Sequence, residues 1–127
     1  MPKFAQDVTV SLGDDRPGAI ARVLSIVAAA GQNVEGFAVI EGLMHLVTVK
    51  AAVTREALEA AGVRVRRQRD VVVVDAPNAP GSAARILGRI AAAGINVSFS
   101  YVAANDRLVI GADRLDDVAK LDLGTTR

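Results

Sequence analysis

A chain of 127 residues with 15 Lys and Arg against 14 Asp and Glu carries a net charge of +1, which argues against the electrostatic footprint of a nucleic-acid or membrane-surface binder. It has no cysteine, so disulfides, thiolate nucleophiles and thiolate metal sites are excluded together. The opening Met-Pro-Lys-Phe-Ala-Gln-Asp lacks the apolar core of a signal peptide, and the valine run 71–74 is far too short to span a bilayer, so a soluble cytoplasmic protein is expected.

Residues 8–12, Val-Thr-Val-Ser-Leu, alternate apolar and polar and read as a half-buried strand with Val8, Val10 and Leu12 toward the core. Gly13-Asp14-Asp15-Arg16 is turn chemistry. Pro17 suits the first turn of a helix, because its φ is fixed and its missing N–H costs nothing there. From Gly18 the apolar residues Ile20, Val23, Leu24 and Val27 fall on one face of a 3.6-residue period, and Gly31 supplies a left-handed stop. Residues 34–40 and 43–50 read as two strands joined by a tight turn at Glu41-Gly42. Thr54 predicts a helix N-cap before Glu56-Ala57-Leu58-Glu59-Ala60-Ala61, which Gly62 closes. Residues 63–68 alternate Val and Arg and predict a last strand, for the order β-α-β-β-α-β.

The chain then repeats itself. Pro17-Gly18 and Ala28-Ala29-Ala30-Gly31-Gln32-Asn33-Val34 return as Pro80-Gly81 and Ala91-Ala92-Ala93-Gly94-Ile95-Asn96-Val97, at a spacing of 63 residues. Over positions 17–34, 11 of 18 residues are identical in the second copy, too dense a match to follow from composition. The second copy predicts a strand at 71–74, a helix at 80–93, strands at 97–103 and 107–112, and a helix near 115–121. Only Leu121-Asp122-Leu123 remains before Gly124-Thr125-Thr126-Arg127, so the closing strand is expected to be short, absent or supplied by another part of the assembly.

Arg69-Asp70 joins strand to strand without a linker, and halves of this size are marginal alone, so they are expected to share a sheet or a core. The predicted fold is α+β: two tandem ferredoxin-like βαββαβ units, residues 1–69 and 70–127, with antiparallel sheets and helices on one face. In 71–74 both faces are apolar, whereas the matching Thr9 and Ser11 are polar. The face carrying Val72 and Val74 is therefore expected to be covered. Ordinary strand propensity and a homodimer packed sheet on sheet both remain open as the reason.

Residues for catalysis are few. His45 is the sole histidine, lies mid-strand, and reads as structural or surface. The carboxylates form no liganding pattern, so no metal site and no cofactor are expected. A serine triad lacks its base, and Gly-Asp-Asp-Arg-Pro-Gly lacks the spacing of a phosphate loop. Asp14-Asp15, adjacent turn aspartates, read as solvated or capping. These gaps argue against an enzyme, with no catalytic residue assigned. The basic run Arg64, Arg66, Arg67 and Arg69 reads as a charged, solvated edge strand, because the aromatics (Phe4, Phe37, Phe99, Tyr101) supply no base-stacking platform.

The strand–loop–helix junctions are where the copies agree best. Each sets Pro-Gly at a helix start, with Asp15 or Asn78 two positions before the proline. Backbone N–H groups of Gly18-Ala19 and Gly81-Ser82 would point out of the helix toward an anion such as a carboxylate. Asn33 and Asn96 add amide groups beyond the helix ends, and Asp15 or an amide oxygen suits an ammonium. The constellation matches a zwitterionic α-amino acid, although Pro-Gly starts helices and Gly-x-Asn ends them without any ligand.

These junctions resemble those of the ACT-domain family, in which a strand is followed by Asp/Asn-x-Pro-Gly, an amphipathic helix, and Gly-x-Asn-Val/Ile opening the next strand. Here the pattern stands as Asp15-Arg16-Pro17-Gly18 to Gly31-Gln32-Asn33-Val34, and again as Asn78-Ala79-Pro80-Gly81 to Gly94-Ile95-Asn96-Val97. It covers nearly the whole chain, twice. The resemblance implies a small-molecule sensor, most often for amino acids, whose domains pair side by side and hold ligand at the interface between them. Many members are attached to enzymes of amino-acid metabolism; with no catalytic domain present, this chain is similar to the free-standing tandem members. Carried over, Asp15, Gly18, Asn33 and Val34 form one ligand-binding set, and Asn78, Gly81, Asn96 and Val97 the other. A homodimer is expected, with an amino acid as ligand. The alternative is a trans-acting subunit that binds an enzyme of amino-acid metabolism and has vestigial ligand sites. Asp15 stands where several ligand-binding members have asparagine.

Overall fold

The structure, a computed structural model, describes residues 3–13 and 16–123. Its elements are β1 (Lys3–Ser11), α1 (Ala19–Ala29), β2 (Gly36–Ile40), β3 (Leu43–Val47), α2 (Ala51–Ala60), β4 (Arg64–Asp75), α3 (Ser82–Ala92), β5 (Val97–Ala103), β6 (Arg107–Ala112) and α4 (Leu115–Lys120). They form an α+β fold in two compact units, Gln6–Arg69 and, of the remaining described residues, 70–123 with 3–5.

In the Gln6–Arg69 unit, β3 pairs antiparallel with both β1 and β2, in registers that include Val8↔Leu46, Val10↔Met44 and Val39↔Met44. The alternation in β1 sends Val8 and Val10 to one face, where they meet Val23 and Val27 of α1, Leu58 of α2, and Met44 and Leu46 of β3 in an apolar cluster. Ile20, expected in that stripe, is 38% exposed, because the apolar stripe first reaches the sheet one turn later at Val23. Helix α2 begins at Ala51, three residues before the expected cap. Thr54 sits inside the helix and is fully buried, and its hydroxyl shares a 2.6 Å hydrogen bond with that of Thr48. A hydroxyl satisfied in the core is no longer available to cap a helix end.

The two strands expected on either side of Arg69-Asp70 are one continuous strand, β4, of 12 residues. In the second unit β6 pairs antiparallel with β4 (Val72↔Ile110, Val74↔Leu108) and with β5. Val72 and Val74 pack on Ile86 and Ile90 of α3, Val118 of α4 and Leu123. Their cover is thus the unit's own helices, and these valines call for no second chain. Residues 121–123 form no strand. Leu123 is instead 1% exposed and seals the core, while residues 3–5 of β1 belong to this unit and β1 runs beside β4.

Glycine has a steric reason at Gly111. A Cβ there would lie 2.3 Å from the Phe99 ring, which covers the glycine across the β5–β6 pair and stacks on Tyr101 at 6.2 Å.

Candidate functional site

Both strand–helix junctions are β-turns of the same type. In Arg16-Pro17-Gly18-Ala19 the Ala19 N–H donates to the Arg16 carbonyl at 3.3 Å, and Gly18 has φ 91° and ψ −6°. In Ala79-Pro80-Gly81-Ser82 the Ser82 N–H donates to Ala79 at 3.2 Å, and Gly81 has φ 85° and ψ −6°. Proline then glycine is what a type II turn demands, since the third residue needs positive φ. The Ala19 and Ser82 N–H groups, expected to face a ligand, are therefore spent inside the turns. The proline also stands one residue ahead of the helix cap, which is the glycine.

At the far ends of α1 and α3, the Gln32 N–H reaches back to Val27 (3.2 Å) and the Ile95 N–H to Ile90 (3.2 Å), with Gly31 and Gly94 at positive φ. This six-to-one closure turns the chain out toward Asn33 and Asn96. Asn33 is exposed and donates through Nδ2 to Glu35 at 3.0 Å; Asn96 and Asn78 are exposed. Asp15 lies outside the described residues. Strand β2 starts at Gly36, so Asn33 and Val34 precede it, whereas Val97 opens β5. Val34 and Val97 lean on the cores of their units.

An 11-residue helix separates the turn from the asparagine in each copy, about 16 Å at 1.5 Å per residue. Gly18 and Asn33 therefore do not share a site within one unit, and neither do Gly81 and Asn96. What the first turn does meet is the tip of the β2–β3 hairpin. The Leu12 N–H donates to the Gly42 carbonyl at 2.9 Å, drawing the end of β1 against that tip. A cleft of about 450 Å³ opens between them, lined by Leu12, Arg16, Gly18, Ile20, Val39 and Glu41 among others. One guanidinium, one carboxylate and three aliphatic side chains around a glycine turn suit a zwitterion with an apolar side chain. Sequence reasoning missed Arg16 and Glu41 as a pair because 25 positions separate them; the signal for Glu41 was the tight turn it shares with Gly42.

His45 has a definite setting. Its Nδ1 lies 3.1 Å from Asp7 Oδ2 and 3.2 Å from Thr9 Oγ1, and the Thr9 hydroxyl donates to Asp7 Oδ1 at 2.5 Å. Asp7 is fully buried and Thr9 is 5% exposed, on the sheet face opposite the helices, so the cluster is a hydrogen-bonded polar core. Among the described residues no group of three or more His, Asp or Glu is placed to hold a metal ion, and no helix is long and apolar enough to cross a membrane.

No protein-family model matches the chain, and no curated protein matches it. Solved structures do. A protein from Bacteroides thetaiotaomicron matches with a TM-score of 0.81 at 23% identity, over 94% of this chain and 86% of that one. The ligand-free regulatory subunit of aspartate kinase from Thermus thermophilus matches with a TM-score of 0.66 at 22% identity, over 93% and 90%. Aspartokinase III of E. coli, in complex with lysine and aspartate in its T-state, matches with a TM-score of 0.62 at 17% identity, over 92% of this chain and 30% of that one. At these identities the likeness shows the fold alone, one shared with a regulatory subunit of aspartate kinase.

Proposed function

We propose that the protein is an amino-acid-binding regulatory protein, a tandem of two ferredoxin-like ACT domains and no enzyme. One observation carries the reading: both copies set the same Pro-Gly turn at one end of a helix and a Gly-x-Asn exit at the other, on a fold whose neighbours include a regulatory subunit of aspartate kinase. The helix keeps the two ends apart within a unit, so ligand would be held between domains of two chains in a homodimer. The turn of one domain (Asp15 and Gly18, or Asn78 and Gly81) faces the second-strand entry of the other (Asn33 and Val34, or Asn96 and Val97). Arg16 and Glu41 extend the first set with a partner for each charge of a zwitterion. Ligand then fixes the relative orientation of the paired domains, and that orientation is the signal.

A second reading is favoured by the same neighbours, since they include a separate regulatory subunit of a kinase. Here the chain binds an enzyme of amino-acid metabolism in trans, with its ligand sites vestigial. A thermal-shift screen against the proteinogenic amino acids at millimolar concentration, run beside Asp15→Ala and Asn78→Ala, separates the two. Ligand at 100 times its Kd stabilises by about 2.7 kcal/mol, several degrees for a protein of this size. The proposal expects a shift with one or two related amino acids, lost in one variant. No shift with any of them rejects it in favour of the subunit reading.

A further inference from the structure

The first unit holds one large aliphatic side chain that its core does not explain. Ile20, in the first turn of α1, is 38% exposed, while Val23 and Val27 of the same helix are buried in the core. With Leu12 and Val39 it lines the 450 Å³ cleft between the Pro17–Gly18 turn and the β2–β3 hairpin tip. Leu12 and Val39 also pack against the core, so their place needs no ligand, whereas Ile20 stands outside that cluster. It is the part of the wall left to meet a small molecule.

The second copy shows the same turn without this wall. At the positions of Leu12, Arg16 and Ile20 it has Ala76, Ala79 and Ala83. Val39 is half-buried, but its counterpart Val102 is 73% exposed. Both units build the same Pro-Gly turn in these different surroundings, so the backbone does not require isoleucine at position 20. The hairpin tips differ in the same sense. Glu41 and Gly42 have φ of 47° and 83°, as a two-residue turn of the primed type demands. Asparagine and aspartate tolerate that backbone better, and the second hairpin has Asn105 and Asp106 at its own tip. Glu41 takes its position at a cost in backbone energy, and it lines the cleft with a carboxylate.

We propose that this cleft takes an amino acid with an aliphatic side chain, and that Ile20 sets how large that side chain can be. The assignment rests on the amino-acid reading of the first turn and narrows it to one class. Glu41 supplies a partner for the ammonium group. The ligand's side chain leaves water against Leu12, Ile20 and Val39. One methylene more or fewer against such a wall is worth about tenfold or more in affinity.

The test is calorimetric titration of the whole protein with alanine, valine, leucine, phenylalanine, lysine and aspartate as separate probes. It compares the unaltered protein with Ile20→Ala, which gives the first turn the residue of the second, and with Ala83→Ile, the reverse exchange. Both positions are exposed, so the variants keep the fold, checked by an unchanged unfolding midpoint. Valine or leucine is expected to bind the unaltered protein best. Ile20→Ala weakens that probe about tenfold and raises phenylalanine relative to it, while Ala83→Ile leaves the order of the probes unchanged. A best probe other than valine or leucine, an order unchanged by Ile20→Ala, or one changed by Ala83→Ile overturns the proposal and leaves the amino-acid reading standing. Binding of none of the six also overturns it, and the amino-acid reading falls as well only if the full thermal-shift screen is blank.

Discussion

The two copies bury the sheet face opposite their helices in different ways. In the first, Thr9 lies across from His45 and Asp7 across from Val47, and Asp7, Thr9 and His45 hydrogen-bond together. In the second, the same places hold Val73, Val109 and Val71, all 4% exposed or less. The next cross-strand pair is inverted as well: Gly36 faces Val47 in the first copy, and Phe99 faces Gly111 in the second. Even the buried Thr48–Thr54 hydroxyl pair has Ala112 and Val118 as its counterpart. Close identity is concentrated in the turn–helix–turn segments, 17–34 and 80–97. A repeat can therefore replace polar satisfaction by apolar packing, one compensated set at a time, while the backbone devices that define the fold stay unchanged.

The largest effect is expected where that compensation is tightest. Gly111→Val drives a side chain into the Phe99 ring and should cost about 3 kcal/mol, measured by chemical denaturation. Adding Phe99→Gly recreates the Gly–Val pair of the first copy. The double variant should then be less destabilised than the sum of the singles by about 1 kcal/mol or more. Strict additivity would break the idea of a compensated swap.

Next comes the polar cluster. Asp7→Val removes the acceptor that both Thr9 and His45 use and should cost about 2 kcal/mol. The triple variant Asp7→Val, Thr9→Val, His45→Val installs the valine set of the second copy. It should recover most of that loss in the same denaturation series, since a buried polar network replaced whole by apolar groups is close to neutral. A triple variant weaker than Asp7→Val alone would show that the cluster is not exchangeable for the valine set. The smallest effect tests what the copies share: Gly18→Ala and Gly81→Ala meet no atom within 4 Å, so each should cost only the backbone strain of positive φ, about 1 kcal/mol, and by equal amounts.

Backbone devices were legible in the sequence for the same reason that they repeat. Proline, glycine and two-residue turns act locally, so β5 and β6 begin and end at the expected residues, and Gly31, Gly62 and Gly94 close their helices. The misreading of Val72 and Val74 came from one residue. Pro-Gly and the helices recur at 63, but Leu12 and Ala76 make equivalent hydrogen bonds to Gly42 and Asp106, a spacing of 64. The second junction is one residue shorter and its hairpin one longer, and a slip of one residue exchanges the faces of a strand. Long-range features were not readable. Nothing in residues 3–5 marks them as part of the unit whose described residues form no closing strand, and Arg16, Arg22, Glu41 and Arg64 meet around one turn only after folding.

The central claim is that an amino acid binds at the turns and helix exits shared by both copies. The direct measurement is a two-dimensional amide NMR titration of the labelled protein with the amino acid selected by the thermal-shift screen. The account predicts shifts clustered at Gly18 and Asn33, at Gly81 and Asn96, or at both sets, saturating together. Saturable shifts confined to other residues, with these amides unmoved, would contradict it.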